Sequence, residues 1–267
     1  MVKPLIVKPL PLNVPVNGVR VNKNQIVAPR DIIDIYISLE NIKDINIPII
    51  YEDENIIIID KSKHLETVSN NTSKQTVSSI LSSKYPTLTP VHRLDTNTTG
   101  LLIFALNTES SEELLNGFKN SFIVKKYIAI TSNSNAKAQE TFNDWFTKDE
   151  QNSTVKYSND KLPNSKPATL TYKKIEQNND LALLEVTLIT GRTHQIRAQL
   201  AFHKIFVLGD QKYGDKWLNK KYNLKNQCLN SQSIQFQFPV TSKLCYLNNT
   251  TFQSKQVLHL INEKITD

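Results

Sequence analysis

The chain has 267 residues, 39% of them hydrophobic, which is enough apolar side chain for an ordinary core and excludes a wholly disordered protein. A formal net charge of +7 favours a polyanionic partner, and it is scattered along the chain rather than gathered in a basic tail. Cys228 and Cys245 form no CxxC pair, so neither a disulfide framework nor a cysteine-based zinc site is expected.

In chain order, the segment MVKPLIVKPLPLNVPV carries too many prolines for the apolar core of a signal peptide. The longest aliphatic runs, such as Ile56 to Ile59, fall far short of a membrane span. The expected location is the cytoplasm, with no membrane contact. VPVNGVRV sets alternating valines around Asn17-Gly18, a strong hairpin signal. APRDIIDIYI alternates as a half-buried strand does, and residues 40–48 read as a linker ending at Pro48. This first piece is too short for a substantial core of its own.

The larger part opens with IIYEDENIIIID (49–60), a strand broken by an acidic turn. Residues 73–85 suit a helix capped by Ser73, with Val77, Ile80, Leu81 and Tyr85 on one face. A strand at 101–106 leads to a helix over 109–119, where Thr108 caps and Leu114, Leu115 and Phe118 face the core. FIVKKYIAIT (122–131) is a strand, whereas the polar stretch 132–166 reads as loops or a mobile insertion. Strands at 168–176 and 181–189 flank Asn178-Asn179 as a hairpin, and residues 228–238 alternate toward Pro239. Between them TGRTHQIRAQLAFH starts a helix with Thr193 at its entrance. Strands joined mainly by hairpins, with few helices, make an α+β sheet protein.

Lys, Asn and Ile dominate this chain, and only five arginines and six glycines occur. Where lysine serves for a bare charge, a retained arginine marks a need for its planar fork. Three of the arginines (Arg93, Arg192, Arg197) and four of the glycines (Gly100, Gly191, Gly209, Gly214) fall in two stretches. VHRLDTNTTGLLIFA (91–105) sets a carboxylate in a polar turn just after His92 and Arg93. TGRTHQIRAQLAFHKIFVLGDQKYG (190–214) gathers Arg192, His194 and Arg197 around a helix start, whose N–H groups and dipole suit a phosphate or carboxylate. Taken singly, the first is a charged loop and the second a solvated basic helix face.

As a pair these stretches resemble the ribosomal large-subunit/tRNA family of pseudouridine synthases. The family's motifs are matched by HRLDTNTTGL at 92–101, GRTHQIR at 191–197 and GDQKYG at 209–214. YEDENIIIIDK (51–61) and KKYIAI (125–130) follow the family's order and spacing, and the resemblance covers roughly residues 46–240. It implies the pseudouridine synthase fold: a mixed, largely antiparallel central sheet flanked by helices, with the active cleft across it. It also implies isomerisation of specific uridines in structured ribosomal or transfer RNA, without cofactor or metal.

By the same resemblance Asp95 is the catalytic aspartate, acting as nucleophile or by taking a ribose proton. Arg197 pairs with it, which favours and orients the carboxylate. Tyr127 is the active-site tyrosine, able to stack on the base and assist proton transfer at its carbon five. Arg93 is expected at the flipped-base pocket or a phosphate, and His92, Arg192, His194 and Gln195 are candidate RNA contacts or supports. Lys125, Lys126, Lys204 and Lys212 are further candidates for phosphates. The target base must leave its stack, so recognition should rest on phosphates and loop shape.

Three departures stand out. Lys61-Ser62-Lys63-His64 replaces the usual Lys-Pro-x-Gly, so the loop is expected to differ in shape, and Gln199 stands where histidine is common. Residues 1–45 are read as a partial small RNA-binding (S4-like) domain and linker without its two leading helices, and residues 46–267 as the catalytic domain. The protein is expected to act as a monomer. A non-catalytic RNA-binding or ribosome-assembly factor on the same fold is the alternative, against which the intact Asp95, Tyr127 and Arg197 argue.

Overall fold

The computed structural model describes residues 45–69, 75–149 and 154–260, with residues 5–7, 15–16, 19–20 and 25–28 nearer the N-terminus. Two compact units form, Met1–Asn46 and Ile47–Asp267. In the first, β1 (Leu5–Val7) pairs antiparallel with β4 (Gln25–Val27), and β2 (Pro15–Val16) with β3 (Val19–Arg20). The second pair is the expected hairpin. The strand expected within APRDIIDIYI lies outside the described residues.

One sheet of eleven strands organises the second unit. Its main path runs β11 (Thr154–Ser158), β10 (Gln139–Asp149), β12 (Lys166–Gln177), β13 (Leu181–Leu188), β9 (Ile123–Ser132), β14 (Leu229–Phe236), β8 (Thr99–Ala105), β6 (Ile56–Lys61), β5 (Ile49–Glu52). Two short strands lie off it, β7 (Thr89–Pro90) on β8 and β15 (Thr251–Gln253) on β14. Of these pairings only β14 with β8 is parallel, so the mixed, largely antiparallel expectation holds. The α-helices among the described residues are α1 (Val77–Leu81), α2 (Thr108–Lys119), α3 (Gln195–Phe202) and α4 (Lys216–Lys221).

Ile56 to Ile59 are all fully buried, because β6 is covered on both faces and alternation there is lost. Each such side chain contributes roughly 1.5–3 kcal/mol on burial. Asp53 makes the preceding turn by accepting the N–H groups of Asn55 and Ile56 at 2.7 and 2.8 Å.

Three local readings are corrected. α1 is short and begins at Thr76, which exchanges capping hydrogen bonds with Ser79; Ser73 lies outside the described residues. Pro86 disfavours helix at Tyr85, which is buried beyond the helix end. α2 is capped by Asn107, whose side chain accepts from Ser110 N–H at 2.8 Å, and Leu115 is 51% exposed. Leu114 is buried with Ser110, Ser111 and Gly117, and Phe118 packs against the core, so of the expected face only Leu115 turns outward. Finally, the stretch expected to be loops holds β10 and β11. Phe142, Asp144 and Phe146 point inward on alternate positions, and the buried aspartate disguised the period of two.

Gly100 sets the relation between the Asp95 turn and the sheet. Its φ is +100°, and a Cβ there would lie 2.4 Å from the Ser231 carbonyl oxygen. Only glycine lets β8 start this close to β14, directly after the turn that carries Asp95. Among the described residues no helix is long and apolar enough to cross a membrane.

Candidate active site

A cleft of about 760 Å³ opens over the central strands β9 and β13. The turn before β8, the end of α2 and the loop into α3 form its walls, and Asp95, Tyr127 and Arg197 all line it.

The Asp95 turn is pinned from below. Lys61, wholly buried, donates to the carbonyls of Ser62, Leu65 and Thr96 at 2.9, 2.9 and 3.0 Å. Burial pulls this ammonium down to about 8, and the charge of Asp95 opposes the shift. Thr67 holds Leu94 through its hydroxyl, which accepts from Leu94 N–H and donates to Leu94 O, both at 3.2 Å. His92 Nε2 accepts the Ile103 N–H at 2.9 Å, which assigns the ring proton to Nδ1. Burial, then the charge of Lys125, holds His92 well below its ordinary range, so it is a neutral clamp of the turn onto β8. His64, which stands where the resemblance puts glycine, has φ +66°, a left-handed conformation that glycine adopts more freely.

The second motif supplies Arg197 from inside a tightly bonded turn. His194, with φ +52°, is the N-cap of α3 without capping by its side chain. Gln195 performs the bracing instead. Its Oε1 accepts from Thr190 Oγ1 and Arg192 N–H at 2.9 and 2.8 Å, and its Nε2 donates to Thr169 O and Gln199 Oε1 at 3.1 and 3.0 Å. Gln195 is thus an internal brace of this turn, 3% exposed at the cleft. Gln199 is fully buried and donates to Asp144 at 2.7 Å and Ala168 O at 2.9 Å, a structural position. His203 shares the same carboxylate at 2.9 Å.

Arg197 Nη1 donates to Asp95 Oδ2 at 2.6 Å, the expected pair. The other edge of the guanidinium meets Asp210, Nε at 2.7 Å and Nη2 at 2.9 Å. Asp210 also accepts the N–H groups of Lys212 and Tyr213 at 2.8 and 3.1 Å. In the sequence Asp210 is legible only as part of GDQKYG, with no local signal of this role. Burial works against both charges, yet each raises the other's ionised form: Arg197 is held above and Asp210 below its ordinary range. His194 stands by, with Nδ1 2.9 Å from Tyr213 Oη and Nε2 3.8 Å from Asp95 Oδ1. Burial lowers its pKa, with Asp95 opposing and the charges of Arg197 and Lys212 adding to the shift.

Because Asp210 holds two of the three guanidinium bonds, Asp210→Asn is expected to lower stability by about 2 kcal/mol, below the 3–5 seen when a buried pair is fully broken. That corresponds to a melting shift of roughly 4–8 °C. Turnover is expected to drop about fivefold, near 1 kcal/mol of transition-state stabilisation. Unchanged melting and turnover in this variant refute the bracing role.

Tyr127 sits on β9 opposite Val186 and Ser231. Burial, with the charge of Asp95 adding, pushes its phenol up to about 12. At neutral pH the ring can therefore stack and donate a hydrogen bond, but it does not begin as a phenolate base. Lys125 lines the cleft 4.7 Å from the Phe118 ring, and burial brings its ammonium down to about 8. Lys126, one residue on, pairs with Glu185 at 3.0 Å and does not line the cleft. Neither do Lys204 and Lys212, whereas Lys119 and Lys148, absent from the expectation, do. Arg93 is exposed at the cleft, and Arg192 lines it while its Nε donates to Pro167 O at 2.9 Å. No group of three His, Cys, Asp or Glu suited to a metal ion occurs among the described residues.

A carboxylate gripped by arginine in an open cleft rimmed with cations is the equipment of an enzyme working on an anionic polymer. The family model described as RNA pseudouridylate synthase matches residues 55–202. The ribosomal large subunit pseudouridine synthase C of Rickettsia conorii is 34% identical over 205 residues, 73% of this chain and 67% of that protein. An uncharacterized RNA pseudouridine synthase of Mycoplasma capricolum is 32% identical over 261 residues, 89% of this chain and 83% of its own. The solved structure of human RNA pseudouridylate synthase domain containing 1 shares the fold, with a TM-score of 0.61 at 19% identity over 80% of this chain and 91% of that one. The chain belongs to the RNA pseudouridine synthase family, and it isomerises uridine to pseudouridine in RNA.

Proposed function

We propose that Asp95 provides the catalytic carboxylate, that Arg197 holds it in position, that Tyr127 stacks against the target base, and that the substrate is large-subunit ribosomal RNA. The observation that carries this reading is the Asp95–Arg197–Asp210 chain at the cleft, with bonds of 2.6, 2.7 and 2.9 Å. The reaction breaks the bond from the base nitrogen to the sugar, turns the base and rejoins it through carbon five. The proton on carbon five is released, and no electrons are exchanged. Asp95 serves either as nucleophile toward the sugar or as base toward a ribose proton, and both routes need an oriented, ionised carboxylate. The protonated Tyr127 supports the rotating ring, and Arg93, Arg192, Lys119 and Lys125 receive flanking phosphates.

All these residues come from a single chain, which supports action as a monomer, and RNA as substrate supports a cytoplasmic location. Residues 1–45 are read as the partial small RNA-binding domain and residues 46–267 as the catalytic one. Ribosomal RNA as target is supported by what the Rickettsia relative is named for. Pseudouridine mapping by carbodiimide-blocked reverse transcription is the test. Cells lacking this protein are expected to lose one or a few stops in large-subunit RNA. Loss confined to transfer RNA overturns the assignment of the target.

A further inference from the structure

Residues 211–225, QKYGDKWLNKKYNLK, hold five lysines and a single carboxylate. That carboxylate, Asp215, is consumed inside the chain, where it accepts the N–H groups of Trp217 and Leu218 at 2.7 and 3.0 Å to start α4. Lys216, Lys220 and Lys225 are exposed and have no carboxylate partner among the described residues. Lys221 pairs with Asp180 and lies 5.3 Å above the Trp217 ring. Trp217 itself is 64% exposed, although Leu218 and Asn219 beside it are buried. An indole this open contributes little to the core, and an aromatic face among cations suits a nucleic-acid strand.

The face is also indexed to the catalytic carboxylate. Asn219 donates to Asp210 O at 2.9 Å and accepts the Gly209 N–H at 2.6 Å. The seam is tight, since a Cβ on Gly214 would sit 2.3 Å from Asp210 O. Asp210 grips Arg197, which grips Asp95, so α4 stands at a set distance from the reacting carboxylate. None of the α4 side chains named lines the cleft.

We propose that the α4 face built from Trp217, Lys216, Lys220 and Lys225 is a second RNA contact, in which Trp217 stacks on an unpaired base flanking the target uridine and the lysines take the adjoining phosphates. It rests on the reading of the cleft as the uridine site, and it extends the footprint beyond that site. Single-stranded RNA is favoured over an acidic protein because the flat indole needs a planar partner, which phosphates alone do not supply. The contact adds binding to ground and transition states alike, so its loss raises KM and leaves kcat unchanged.

The test uses the full chain and a short oligouridylate as probe. Trp217→Ala is expected to weaken binding about tenfold, within the usual range for base stacking, and Trp217→Phe to restore most of it. Lys216→Gln with Lys220→Gln should make the slope of log affinity against log salt shallower by about 1.4, at roughly 0.7 per phosphate contact on a single strand. The same variants should raise KM on a modifiable RNA with kcat and melting temperature unchanged. Affinity within twofold of wild type in both variants overturns the proposal. So does a change in self-association by sedimentation without a change in RNA binding, which makes the face a contact between copies. Asp95→Asn separates the two readings: it removes turnover if the cleft assignment holds, whereas the α4 contact is read from binding and salt slope alone.

Discussion

Asp95→Asn is expected to abolish isomerisation while leaving the fold and the affinity for RNA in place. The amide matches the carboxylate in size and keeps an oxygen toward Arg197 Nη1, now at 2.6 Å. What it loses is the negative charge, and with it the capacity to attack the sugar or take a ribose proton. Arg197 is not left as an uncompensated buried cation, because Asp210 still holds Nε and Nη2 at 2.7 and 2.9 Å. The melting temperature should therefore stay near that of the wild type. A loss beyond a thousandfold is expected, about 4 kcal/mol of transition-state stabilisation at 1.4 for each factor of ten. Tritium release from RNA labelled at carbon five of uridine measures it. Residual turnover within tenfold of wild type sinks the assignment.

Arg197→Lys is expected to be far from conservative. The guanidinium makes three bonds to two carboxylates, one edge taken by Asp210 and one nitrogen by Asp95. An ammonium is a point charge on a flexible stem, and it cannot hold both carboxylates in one fixed plane. It leaves Asp210, which is 1% exposed, short of a hydrogen-bond donor and lets Asp95 turn. Turnover should fall by more than tenfold and the melting temperature should drop with it, as read by the same tritium assay and by thermal denaturation. A lysine variant with normal turnover reduces the arginine to a simple charge and refutes the geometric argument.

The sequence alone marked the candidate residues of the reaction. HRLD, the tyrosine of KKYIAI and the second arginine of GRTHQIR converge on one cleft, as their motifs imply. It also determined most strands, because side-chain alternation and the turn residues between strands are local properties. Element ends were less legible, since Asn107 and Thr76 compete for their capping roles with neighbours of the same type. Tertiary structure decided which polar side chains face inward. Asp144 belongs to the core only because α3 brings Gln199 and His203 against it, so β10 was hidden by its own polarity. Gln195 turned out to be an internal brace, and Asp210 became the second anchor of Arg197 after the chain leaves α3 and returns along the GDQKYG loop. A buried polar group is tolerated only when its partners are present, and those partners arrive from elements distant in the chain. Periodicity and capping act within a few residues, and so they could mark these positions as polar without saying which way they point.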